Sequence, residues 1–219
     1  MRKLTRQERI TAVAVAVLMA VFAAVITYQV QTAPEKADAD EVATTVVRAD
    51  SHRLDTAEDD KVTLVEFLDF ECEACRAAFP FVEQVRQQYE GRITFVIRYF
   101  PIDSHRNAMN AAKAVEAAAR QDRLEPMYER MYETQAEWGE QQDSKATLFR
   151  TFAEDLGLDM DQYDRGVASD DVQKRIERDV TDGLALGVSG TPTFFLNGKK
   201  LQPASTDEFI AAIDDALAR

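Results

Sequence analysis

Cysteine is nearly absent from this chain: its 219 residues hold two, Cys72 and Cys75. A framework of several structural disulfides is thereby excluded. The core has to hold by burial alone, which a chain of this length can do. A bridge between residues three apart closes almost no loop and adds little stability through chain entropy, so its use would lie in being made and broken. Histidine is as scarce, with only His52 and His105. Tetrahedral zinc needs four ligands, typically Cys or His, and there is no second Cys-x-x-Cys pair, so no metal is expected. Positive charge is in deficit as well. A formal net charge of −13 gives nucleic acid no electrostatic attraction, and no nucleic-acid partner is expected. The acidity is read as solubility.

One long uncharged run is present, over residues 10–30, built mainly of Ala, Val, Leu, Ile and Phe. About 20 apolar residues span a bilayer as a helix. Residues 1–9 carry Arg2, Lys3, Arg6 and Arg9, a flank expected to stay in the cytoplasm. The run is therefore expected to be a single transmembrane signal anchor. A cleaved signal peptide is the alternative, with Ala37-Asp38-Ala39 as the small-x-small site. Residues 31–42, polar and acidic around Pro34, read as a linker. On either reading, residues 43–219 form the folded domain and face an extracytoplasmic space where disulfides persist.

Along that domain, the β-branched stretch 42–48 suggests a short first strand, and 49–61 reads as charged loop. Residues 61–70 are nearly continuous in apolar character, the mark of a buried central strand, with Glu66 as a charge inside it. A helix is expected over 73–89, kinked by Pro80 and ended near Gly91. A strand follows over 92–100. From 104 to 185 alanine and alternating charges replace the β-branched runs, predicting helices near 106–120, 123–137, 145–156 and 169–185. Residues 188–201 read as a hairpin turning at Asn197-Gly198. A final helix over 207–217 is capped by Ser205 or Thr206. Strand, helix, strand, helical block, hairpin, helix makes an α/β layout with a mixed sheet.

Cys72 and Cys75 stand where the strand at 61–70 gives way to a helix. A thiol attacks a disulfide only as thiolate. Free N–H groups and the positive end of the dipole at a helix start favour that anion. The spacing thus makes Cys72 the exposed nucleophile and Cys75, one turn in, the buried resolving thiol. A pair of inert core cysteines is the bland alternative. Glu66 is either a solvent-facing residue at a sheet edge or a buried acid that relays the Cys75 proton, with its pKa raised by desolvation. Thr191-Pro192 opens a strand, where proline fits because no ladder donor is needed, and an X-Pro bond can be cis. His105 reads as a cap or surface residue, and Trp138 as packing or groove lining.

Glu66 six residues before Cys72, Pro80 five after Cys75, and Gly190-Thr191-Pro192 together resemble the DsbA-like branch of the thioredoxin-fold family, over residues 43–219. The resemblance implies a thioredoxin fold with a helical domain inserted at about 104–185. It implies a protein disulfide oxidoreductase without cofactor, in which Thr191 lends backbone groups to an extended substrate and Pro192 shields Cys72 from metals and unwanted thiols. Its partners would be reduced or misoxidised secreted proteins, and a membrane redox partner of DsbB or vitamin-K-epoxide-reductase type. Dimeric isomerases of the family carry an extra N-terminal domain, for which 31–60 is too short, so a monomer is expected. The chain departs from strongly oxidising members at Glu73-Ala74, where they carry Pro-His. Glu71 and Glu73 are expected to disfavour the thiolate by on the order of 1 kcal/mol, about 20 mV, each. The span from thioredoxin to DsbA is about 150 mV, so the acids alone cannot convert an oxidase into a reductase. A reductase or isomerase, and a binding or chaperone module with an incidental dithiol, are the competing functions.

Overall fold

The computed structural model describes residues 46–59 and 61–219. The anchor expected at 10–30 lies outside them, as does the linker. No helix among the described residues is long and apolar enough to cross a membrane.

Among the described residues five strands form one sheet in the order β1-β3-β2-β4-β5. These are β1 (His52–Asp55), β2 (Thr63–Leu68), β3 (Thr94–Tyr99), β4 (Thr193–Leu196) and β5 (Lys199–Lys200). β2 and β3 run parallel, and every other pairing is antiparallel, so the sheet is mixed as expected. The helix α1 (Glu73–Gln88) connects β2 to β3. Between β3 and β4 stand five helices: α2 (Ala108–Ala119), α3 (Leu124–Trp138), α4 (Ala146–Asp155), α5 (Met160–Val167) and α6 (Asp170–Ala185). The chain ends in α7 (Thr206–Leu217).

Two expectations need correction. Among the described residues the first strand is β1. Of the stretch 42–48 the described residues 46–48 carry no strand. Val46 instead buries its side chain with Val65, Phe67, Val96 and Phe195. β1 carries no strand signal in the sequence because its four residues, His-Arg-Leu-Asp, lack β-branched character. It is an edge strand, where charged side chains are favoured because they discourage further pairing. The second correction is α5, read as a connection. It is short and contains Gly166, which lies close against α2: a Cβ there would stand 3.0 Å from the Ala117 Cβ.

The pleat sorts the sheet's two faces. Leu64 and Leu68 of β2, with Phe95, Ile97 and Tyr99 of β3, join the larger core that includes α1, α7 and α2–α5. Val65, Phe67 and Val96 join Phe100 and Val188 in the smaller core. α6 is held to this second face by close approach at Gly183. A Cβ at that glycine would stand 2.8 Å from Cδ2 of Phe100 and 3.1 Å from Cδ1 of Phe67. Gly183→Ala would gain about 1 kcal/mol of helix propensity, yet overpacking costs about 1–3 kcal/mol. We expect a net loss near 1 kcal/mol, seen as a fall in Tm of roughly 2–4 °C. A rise in Tm would show that the rings move aside freely.

The local chemistry of the remaining elements follows the expected signals. Asn197 and Gly198 take positive φ values of 47° and 78° in the β4–β5 turn, as a type I′ hairpin requires. Ser205 caps α7 by accepting the Glu208 N–H, and Glu208 accepts the Ala204 N–H in return. α1 runs through Pro80.

Candidate active site

β2 is the central strand that delivers the site. It pairs Glu66 with Ile97 on one side and with Phe194 on the other. Glu66 is therefore in the middle of the sheet, only 2% exposed, and the solvent-edge alternative falls. Its Oε2 is buried without a hydrogen-bond partner. Burial pushes its pKa up to about 8, with smaller contributions from the negative charges of Glu83 and Cys72. Ring packing seals this region: Phe79 stacks on Tyr132 at 5.2 Å, and Phe70 packs on Tyr132 at 5.2 Å. The Tyr132 hydroxyl is also buried without a partner.

β2 ends at Leu68 and the chain makes one tight turn into α1. The turn is tied by its own residues. The Asp69 carbonyl accepts the Cys72 N–H at 3.2 Å. The Asp69 Oδ1 accepts the Glu71 N–H at 2.8 Å, an Asx-type bond. Gln135 of α3 donates through Nε2 to the carbonyls of Phe70 (2.7 Å) and Cys72 (3.0 Å). Cys72 is thereby fixed as the N-cap of α1 in extended conformation, and Cys75 follows within the first turn.

Both cysteines are free thiols, and their environments push them apart. Cys72 is lowered to about 5. The chief cause is the hydrogen bond from Cys75; burial opposes it, and the Thr191 side chain and the N–H groups of Cys75 and Ala74 add support. Cys75 moves far the other way, first through burial, then through its donation to Cys72, then through the charge of Glu66. Across the site the Thr191-Pro192 bond is cis. The Thr191 carbonyl faces the Cys72 Sγ at 3.4 Å. All five residues singled out from sequence, Glu66, Cys72, Cys75, Thr191 and Pro192, thus belong to one neighbourhood.

The flanking acids behave differently from expectation. Glu71 is buried, and its Oε2 accepts the Asn107 N–H at 2.5 Å. Its charge is spent on the start of α2. Glu73 is exposed. Neither prevents the low Cys72 pKa: hydrogen bonds donated to the sulfur act at contact, the charge of Glu73 is screened by solvent, and that of Glu71 is answered by the Asn107 N–H. His52 sits apart, bonded to Glu116 at 2.6 Å. Trp138 is fully buried and packs edge-on against Phe149 at 4.8 Å, which makes it packing rather than groove lining.

Asp69, Gln135 and His105 were missed as site residues. His105 donates or accepts through Nδ1 at 2.6 Å from the Asp69 Oδ2, which also accepts the Ile102 N–H at 3.0 Å. A signal for Asp69 existed: it is a second carboxylate in the run 61–70, two residues before the turn closes. Gln135 offered none, since its role depends on how α3 packs.

A family model described as thioredoxin matches residues 55–215. A curated relative, a Na(+)/H(+) antiporter NhaA of Herminiimonas arsenicoxydans, is 31% identical over 162 residues, which cover 74% of this chain and 25% of the antiporter. The chain spans about a quarter of the length of the curated relatives it matches. Among solved structures, a thioredoxin-like oxidoreductase from Silicibacter pomeroyi DSS-3 superposes with a TM-score of 0.68 at 23% identity, covering 80% of this chain and 98% of that one. BdbD from Bacillus subtilis does so with a TM-score of 0.67 at 20% identity, covering 77% and 94%. With the strand, dithiol turn and cis-proline in place within the matched residues, the chain belongs to the thioredoxin family, with a helical block inserted between the third and fourth strands.

Proposed function

We propose that this chain is a membrane-anchored thiol–disulfide oxidoreductase that introduces disulfides into proteins outside the cytoplasm. The observation that carries the proposal is the placement of the two thiols: Cys72 caps the start of α1 with its Sγ 3.4 Å from the carbonyl of the cis Thr191-Pro192 pair, and Cys75 is buried one turn in. In the forward reaction a substrate thiolate attacks the sulfur of Cys72 in the Cys72–Cys75 disulfide. The enzyme's S–S bond breaks, a mixed disulfide forms at Cys72, and the electron pair leaves on Cys75. Glu66, neutral below about pH 8, supplies the proton Cys75 takes. The substrate's second thiolate then attacks its own sulfur in the mixed disulfide, and Cys72 leaves as thiolate. The substrate dithiol has lost two electrons and the enzyme has gained them. A stabilised Cys72 thiolate is a good leaving group, and it stabilises the reduced enzyme, which makes the disulfide more oxidising.

Thr191 and Pro192 border Cys72 where an extended substrate segment would lie, with the Thr191 backbone as its hydrogen-bonding edge. Reoxidation is assigned to a quinone-linked membrane partner of DsbB or vitamin-K-epoxide-reductase type. The anchor at 10–30 would hold a monomeric domain beside it. Antiport is the named activity of the curated relatives as whole proteins. What they share with this chain is the thioredoxin part, and the proposal rests on that part alone.

The test is to trap thiols with acid and an alkylating agent in cells that hold the full-length protein. Cys72 and Cys75 are expected as a disulfide, and Cys75→Ser is expected to accumulate mixed disulfides through Cys72. A pair found reduced would reverse the direction to reductase or isomerase. Full activity in Cys72→Ser would leave only a binding role.

A further inference from the structure

Between the two cysteines this chain carries Glu73-Ala74, with no cation to favour the thiolate. A side chain that can carry positive charge reaches the same turn from elsewhere. His105 lies in the segment after β3, 36 positions from Asp69 in sequence. Its Nδ1 stands 2.6 Å from the Asp69 Oδ2. That carboxylate has no exposed surface, while the His105 side chain keeps 19% of its own. The same carboxylate takes the Glu71 N–H and the Ile102 N–H. The Asp69 carbonyl takes the N–H of Cys72 itself. One buried aspartate therefore ties together the turn before the nucleophile, the segment after β3, and a histidine.

We propose that His105 is a positioning residue for Cys72: through Asp69 it locks the turn that carries the nucleophile, and as an imidazolium it supplies the positive charge missing from between the cysteines. The inference rests on the exchange chemistry proposed above and deepens it. Burial raises the Asp69 pKa, and the N–H groups of Ile102 and Glu71, followed by His105, act against that; keeping the carboxylate ionised there needs an opposing charge, because an unpaired buried charge is strongly destabilising. Two backbone donors share it, and the imidazole is the cation that closes the set. The charged groups facing the ring are Asp69, Cys72 and Glu71, all three anionic when ionised. Burial opposes protonation of His105, but the hydrogen bond and charge of Asp69, followed by the charges of Cys72 and Glu71, raise its pKa above the usual value. Coupling of this kind is mutual. A thiolate that favours the imidazolium is favoured by it to the same extent.

The experiment uses two variants of the reduced full-length protein and reads the ultraviolet absorbance of the thiolate against pH. His105→Asn keeps a donor toward Asp69 without the charge; His105→Phe removes both. Both variants are expected to titrate Cys72 at higher pH than the parent, by up to about one unit, the low end of the effect of withdrawing an opposite charge. Alkylation of Cys72 well below the parent's midpoint should slow by about threefold, the fall in thiolate being partly offset by the greater nucleophilicity of the more basic sulfur. An Asn variant that titrates like the parent would overturn the proposal, leaving His105 a packing role, and so would a Phe variant that does. Unfolding curves recorded on the same samples verify that the variants are folded. The titration needs no substrate and no direction of electron flow. It therefore stands or falls separately from the trapping experiment that tests the function.

Discussion

Arg98→Ala is expected to destabilise the domain by about 3–5 kcal/mol, the usual cost of breaking a buried ion pair by removing one partner. Arg98 lies in β3 on the face opposite Glu66 and has no exposed surface. Its Nε donates to Asp179 at 2.8 Å, its Nη1 to the Val46 carbonyl at 2.7 Å, and its Nη2 to Asp182 at 2.6 Å. The guanidinium also covers the Phe67 ring at 5.3 Å. Asp179 and Asp182 belong to α6, so a single side chain joins β3, α6 and the segment that holds Val46. Truncation to alanine would leave Asp179 with Arg175 and the Tyr99 N–H. Asp182 would keep Arg48. Each would be one donor short in a place water reaches poorly. Arg98→Lys should recover little, because an ammonium cannot reproduce three bonds in the planar fork. Denaturant unfolding of the full-length protein measures the loss. A value below about 1 kcal/mol would mean that Arg48 and Arg175 already neutralise the two aspartates.

The same network shows a sign in its pH behaviour. Burial raises the Asp182 pKa, but the bonds from Arg48 and Arg98 outweigh it and hold the carboxyl below its ordinary value. A lowered acid contributes stability that is fully present above its unfolded pKa and is lost as pH falls through the folded one. Acid should therefore weaken the tie between α6 and the sheet only as pH falls through the lowered Asp182 value, after Asp69 of the Cys72 turn, whose pKa burial raises, has taken its proton.

How much of this could be read from residues alone depended on how local the cause was. The turn from β2 into α1, the hairpin at Asn197-Gly198 and the cap at Ser205 are decided by chemistry within a few positions, and all were legible. β1 was not, because its four residues become a strand only by pairing with β3. The site divided in the same way. Cys72, Cys75, Thr191 and Pro192 carry recognisable types at recognisable spacing. The burial of Glu66 depended on β4, which pairs with β2 from about 130 positions away. The bond between Asp69 and His105 crosses a strand and a helix, and no periodicity reports it. Glu71 was misjudged for a related reason: its carboxylate answers to Asn107, not to its neighbour in sequence.

Glu66→Gln is expected to make the protein more stable at neutral pH and slower in exchange. With an ordinary carboxyl value of 4.5 in the unfolded chain and about 8 in the folded one, Glu66 is bound to a proton in the native state across the whole window between. A group raised in this way stabilises fully below its unfolded pKa, and its contribution is lost as pH rises through the folded value. At about 1.36 kcal/mol per unit, the native protein should lose on the order of 3 kcal/mol between pH 4.5 and 7, and up to about 5 kcal/mol by pH 8. Glutamine carries no proton to lose, so the variant's stability should be nearly flat over that window from this cause. The pH slope is the readout, since the amide adds a donor of its own beside an atom that lacks a partner. Exchange should move in the opposite direction. Cys75 leaves as an anion in a site that strongly disfavours one, and a positioned acid in such a step contributes typically 10²–10⁴-fold. A fall of about 10²-fold in enzyme reduction by a model dithiol peptide, in a protein no less stable at pH 7, would separate the proton relay from a structural role. A variant with the parent's pH slope would show that Glu66 is solvated after all. A variant with the parent's rate would show that water protonates Cys75 without it. Stability gained and rate lost at one residue is the combination expected of a buried acid kept for its proton.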